Sequence, residues 1–145
     1  MGRAMSDYEA DIFEWSEHQA TLLRRIASGE LVNSAELDWP NIAEEIESVG
    51  RSERRACESH LVLALVHDLK AEAWPLSRDV AHWRAEARHH RNEALAACTP
   101  SMRSKIDMGV LYRRALSELP DKMDGQAPVP LPEQCPVTLD ELLGE

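Results

Sequence analysis

This sequence predicts an all-α fold: an antiparallel four-helix bundle followed by an extended proline-rich C-terminal arm. Three observations carry the prediction. Ala is abundant and β-branched residues are sparse, a bias toward helix over sheet. Four apolar stripes recur at the helical period. The connections between them are short and punctuated by Gly, Pro and capping residues, so neighbouring helices must run antiparallel to bury their stripes.

Helix one is predicted over about 7–28, where Tyr8, Ile12, Trp15, Gln19, Leu22, Leu23 and Ile26 share a side. Ser6 or Asp7 caps its start, and Gly29 ends it in a left-handed conformation that costs glycine nothing. Helix two covers about 40–73. Pro40 suits its first turn, and Asn41 followed by Glu44 reads as a capping box. Its stripe holds Ile42, Ile46, Val49, Glu53, Ala56, Cys57, His60, Leu63, Ala64, His67, Ala71 and Trp74. Gly50 is the weak point, because glycine costs about 1 kcal/mol relative to alanine inside a helix. The run Leu61–Val66 is apolar on all sides, and so must be buried on all sides, as the central helix or against a second subunit.

Trp74-Pro75 stops helix two. Helix three, about 77–97, aligns Leu76, Val80, Trp83, Ala87, Ala94 and Cys98. Thr99-Pro100 caps helix four, about 101–119, whose stripe of Met102, Ile106, Gly109, Tyr112 and Leu116 is less clean. Prolines 120, 128, 130, 132 and 136 make 120–137 an extended arm. Thr138 with Glu141 then starts a terminal helical turn.

The segment Asn41-Ile42-Ala43-Glu44-Glu45-Ile46-Glu47-Ser48-Val49-Gly50-Arg51-Ser52-Glu53 resembles the signature of the bacterial family known as domain of unknown function 29. The likeness continues through His67-Asp68-Leu69-Lys70, Trp83-Arg84 and Arg91, and closes on Cys135-Pro136-Val137-Thr138-Leu139-Asp140-Glu141-Leu142-Leu143. Ala87 departs from it, standing where the family tends to have Ile. The resemblance implies an all-helical soluble domain and carries over no catalytic residue.

A chain of 145 residues fits a single domain, 1–145, able to hide roughly 68–70% of its unfolded surface in one core. With 43% apolar and 29% charged residues it is too apolar for disorder. The net charge of −10 is uneven: 51–114 carries 12 basic and 8 acidic residues, between two acidic ends. Arg51, Arg54 and Arg55, like Arg84, Arg88 and Arg91, are interleaved with acids and lack aromatic stacking partners, which argues against nucleic acid as a partner. Cys57, Cys98 and Cys135 are odd in number and form no Cys-x-x-Cys pair. Neither a disulfide framework nor a zinc knuckle is expected, and a reducing cytoplasm is the natural compartment. No apolar run approaches a spanning helix, so no membrane partner is expected. Met1-Gly2-Arg3-Ala4-Met5-Ser6 fits the loose myristoylation pattern by chance.

Glu53, His60 and His67 recur every seven residues on the apolar side of helix two, and all three are expected to face the core. Helical rise separates neighbours in this series by roughly 10 Å, so one metal ion cannot take two of them. Glu86-x-x-His89 has the spacing used in helical di-iron sites, yet with His82 and Glu93 it points away from Val80 and Trp83, toward solvent. The expected role is therefore a buried polar cluster of Glu53, His60, His67, Arg91 and Arg113, with Glu53 bridged to an arginine. No Gly-rich phosphate loop, Gly-x-Ser-x-Gly elbow or His-Glu-x-x-His is present, and no cofactor is expected. The leading expectation is a non-enzymatic protein-interaction module that takes a protein partner, or a second copy of itself as a homodimer through the apolar second half of helix two and the arm. The alternative is a metal-binding or hydrolytic bundle using His60, His67 or Glu53.

Overall fold

In the computed structural model, residues 6–144 are described, and the Met1–Met5 part of the myristoylation pattern lies outside them. They form seven α-helices and one 3₁₀ turn, with no strand among the described residues: α1 Asp7–Ala10, α2 Ile12–Ala27, the turn Ser34–Glu36, α3 Trp39–Ala73, α4 Val80–Ala97, α5 Pro100–Arg103, α6 Met108–Ser117 and α7 Leu139–Leu143. No described helix is long and apolar enough to cross a membrane. Two compact units divide the chain, 1–50 and 51–145, and the division falls after Gly50, the expected weak point of helix two.

Two aspartates break helices that periodicity draws as continuous. Asp11 leaves the helical region (φ −155°, ψ 88°), and its carboxylate accepts from the Glu14 N–H at 3.0 Å, separating α1 from α2. Asp107 accepts from the N–H groups of Gly109 and Val110 at 2.9 and 3.3 Å, separating α5 from α6. A short carboxylate satisfies unpaired N–H groups at a helix start better than it fits a helix interior. The helix expected from about residue 77 is α4 and begins at Val80, preceded by a local turn in which the Ser77 hydroxyl accepts from the Asp79 N–H at 3.1 Å.

In the first unit, Trp15, Gln19, Leu22 and Leu37 are buried, whereas Ile12, Leu23 and Ile26 of the expected stripe are exposed. Trp15 Nε1 donates to Asp38 Oδ2 at 2.9 Å, and Tyr8 donates to Glu45 at 2.5 Å. Asn41 does not cap α3 through Glu44. It lies inside the helix and donates to Asp38 Oδ2 at 2.8 Å.

The main core lies in the second unit. Cys57, Leu61, Val62, Ala64, Leu65, Val66 and Leu69 of α3 pack with Ala94, Cys98, Leu111, Tyr112, Ala115, Leu142 and Leu143. The all-round apolar run is thus buried by its own chain, together with Leu131, Val137 and Leu139 from beyond α6. Residues 118–138 contain no helix. They are tied down by bonds from Tyr112 Oη to the Pro132 carbonyl (2.5 Å), Trp74 Nε1 to the Gln126 carbonyl (2.9 Å) and the Val129 N–H to the Ala73 carbonyl (2.8 Å). Thr138 caps α7 by accepting from the Glu141 N–H at 3.1 Å, and Gly144 ends it at φ 80°.

Candidate metal site on the facing sides of two helices

The second half of α3 and the whole of α4 face each other along a seam that small residues make possible. Ala64, Ala87 and Ala94 are fully buried, and side chains of that size let helix axes approach closely. At one end Cys57 and Cys98 form a disulfide with Cα atoms 5.2 Å apart. This corrects the expectation that the cysteines form no disulfide framework, and it leaves Cys135 free. Spacing rules look for paired cysteines close in sequence, and these are 41 residues apart on two different helices. Further along the seam, Asp68 accepts from Arg84 Nη1 at 2.8 Å and from Arg91 Nη1 at 2.7 Å. Charge-assisted bonds of this kind hold the pair in register.

Between the disulfide and the aspartate lies a histidine cluster. His67 of α3 and Glu86 and His90 of α4 bring one donor atom each to within 4.8 Å of one another, and all three are half-buried. Glu86 and His90 stand one turn apart on a single helix face, with His90 Nε2 3.8 Å from Glu86 Oε2. The rings of His67 and His90 lie parallel, 2° between planes, with centroids 5.7 Å apart. On the other edge of His90, its Nδ1 is 3.4 Å from Nδ1 of His60.

Burial pushes the His67 imidazole below its ordinary value, helped by Lys70 and by His90. Burial likewise lowers His90, helped by His89 and His60. Both rings therefore favour the neutral form, which is the form that binds metal. The Nδ1 atom of His67 is buried without a hydrogen-bond partner, an unusual condition for a buried polar atom. A zinc-sized ion spaces tetrahedral donors about 3.3–3.5 Å apart, so the longest edge of the set, at most 4.8 Å, need close by only about 1.4 Å.

The expected polar cluster is partly assembled and partly corrected. His60 and His67 do turn inward and are half-buried. Glu53 is exposed, and among the described residues no arginine or lysine pairs with it. A strict seven-residue repeat drifts about 20° per heptad on a straight helix, so Glu53 lies about 40° from His67. In water its carboxylate also keeps its hydration. Arg91 pairs with Asp68 instead, and Arg113 is exposed on α6. Glu86 was expected in solvent with His89. The structure leaves Glu86 only half-exposed, at the seam with His90 as neighbour, while His82, His89 and Glu93 are exposed. A signal for this was present: the α4 stripe Trp83, Ala87, Ala94 and Cys98 leaves a gap that His90 and Arg91 fill at helical spacing.

The family described as Domain of unknown function DUF29 matches residues 8–145 of the chain. A crystal structure of an alpha-helical protein of unknown function from Rhodospirillum rubrum is similar at 34% identity and a TM-score of 0.64, covering 98% of this chain and 92% of the other. No curated protein matches.

Proposed function

The chain belongs to the DUF29 family, and for it we propose a divalent transition-metal-binding helical module with His67, Glu86 and His90 as ligands. The observation that carries this reading is the convergence of two imidazoles and a carboxylate, within 4.8 Å of one another, from the two successive helices α3 and α4. Two nitrogens and one oxygen suit zinc and its neighbours better than calcium or magnesium, which prefer all-oxygen shells. Three protein ligands leave a coordination position open to water or substrate, the arrangement found in catalytic rather than structural zinc sites.

Full-length protein treated with chelator, then titrated with Zn²⁺ by calorimetry, is expected to bind one ion per chain. His67→Ala, Glu86→Gln and His90→Ala are each expected to abolish that binding, while His89→Ala, at the exposed neighbour, leaves it intact. Absence of stoichiometric zinc in the wild type, or equal binding by the three ligand variants, overturns the reading.

The finer architecture belongs to the same proposal: one 1–145 domain as an antiparallel four-helix bundle with a proline-rich arm, supported by the apolar periodicity and by the α3–α4 seam. A protein-interaction role is the second reading, favoured by the apolar side chains that the first unit leaves exposed, Phe13 at 70%, Ile46 at 69% and Val49 at 65%. Light scattering that gives a monomer over a wide concentration range rejects its homodimer form.

A further inference from the structure

The two nitrogens of His90 face different partners: Nε2 lies on the Glu86 side at 3.8 Å, and Nδ1 lies 3.4 Å from Nδ1 of His60. Resting on the metal-binding reading above, we infer that the ion is taken by Nε2 of His90 and that His60 is the positioning residue behind it, accepting the Nδ1–H proton of the metal-bound ring.

The chemistry follows from the two-nitrogen imidazole. A neutral ring carries one proton, so a ring that offers Nε2 to a cation must hold that proton on Nδ1. Binding withdraws electron density from the ring and makes that N–H a stronger donor. A buried donor of this kind needs an acceptor, and a partner on the far nitrogen both fixes the ring's orientation and raises its basicity as a ligand. In this seam the group facing Nδ1 is His60, one turn beyond Cys57 on α3 and half-buried, with its ring tilted 31° to that of His90. For His60 to accept on Nδ1, its own proton resides on Nε2. Without the metal, the same pair can hold the reverse arrangement, with His60 donating and the His90 Nε2–H turned toward Glu86. Metal binding then shifts one proton position on each ring, and no net proton is gained or lost across the pair.

This geometry also accounts for why His60 is not itself a ligand. Its contact is with the nitrogen of His90 that points away from Glu86, and it does not join the set of donors lying within 4.8 Å of one another. His60 lies seven residues from His67, roughly 10 Å along the helix axis, too far to share an ion with it.

The test compares wild type, His60→Ala, His60→Asn and His67→Ala as full-length proteins, each titrated with Zn²⁺ and with Co²⁺, whose visible spectrum reports the ligand set. His60→Ala is expected to weaken zinc about 10- to 100-fold at unchanged stoichiometry. Its cobalt spectrum at saturation should keep the wild-type pattern, because the ligands are the same. His60→Asn supplies an acceptor oxygen and is expected to recover most of the lost affinity, which a packing role alone would not restore. Unchanged zinc affinity in His60→Ala overturns the inference while leaving the metal site standing. Loss of binding as complete as in His67→Ala, with an altered cobalt spectrum in any residual complex, makes His60 a direct ligand and also overturns it. No zinc binding by the wild type overturns this inference together with the reading on which it rests. Circular dichroism of each variant confirms that the helices remain.

Discussion

Reducing the Cys57–Cys98 bond is the perturbation whose effect is best defined by the structure. The bond closes a loop with a sequence separation of 41 residues inside the second unit, joining α3 to α4. In the chain-entropy description, a loop of this length removes about 13 cal/mol/K from the unfolded ensemble, or about 4 kcal/mol at room temperature. Cys57 is fully buried and Cys98 is 3% exposed, so the freed thiols stay within the core and behave as small apolar groups. The reduced protein should therefore keep its helices but lose most of that stabilisation. The assay is urea unfolding followed by circular dichroism, with and without a phosphine reductant. At a urea dependence of about 2 kcal/mol per molar, the midpoint should fall by about 2 M on reduction. Thiol titration of the unreduced, unfolded protein should count one free cysteine, Cys135. Coincident unfolding curves, or three reactive thiols before reduction, would refute the argument.

Leu61 is fully buried in the main core, and Leu61→Ala is expected to cost about 2–5 kcal/mol in the same urea experiment; a cost below 1 kcal/mol would mean that the helix is not the centre of that core. Asp38 is held below its ordinary value of 3.8, first by the Asn41 amide and also by the Trp15 indole. Its contribution to stability is present above that ordinary value and is lost as pH falls through the lower folded value. Asp38→Ala should remove about 2 kcal/mol near neutrality and flatten the acid limb of the stability curve, and an unchanged acid limb would contradict the assignment. Glu53→Gln should alter stability by no more than about 0.5 kcal/mol, because the side chain is exposed; a loss above 2 kcal/mol would restore the buried bridge that the structure rejects.

The limits of helices were largely legible because caps act locally. The Thr138–Glu141 start, the stop at Trp74-Pro75 and the Thr99-Pro100 punctuation depend on backbone groups within one turn, and the structure places helix boundaries at each of them. The breaks at Asp11 and Asp107 were equally local, but an aspartate inside an apolar period satisfies the helix pattern and the cap pattern at once. The inward turn of His60 and His67 followed from period alone. Their partners did not.

What the sequence determined by itself is helical character, the approximate helix limits and the side of each helix that is apolar, since these rest on propensity and on interactions within a few residues. What the tertiary structure decided is which rows of two helices meet: Cys57 with Cys98, Asp68 with Arg84 and Arg91, and His67 with Glu86 and His90. Those pairings depend on the register and crossing of α3 against α4, which small buried alanines and the whole core settle together. A shift of one residue turns each side chain by about 100° and would part every one of these groups.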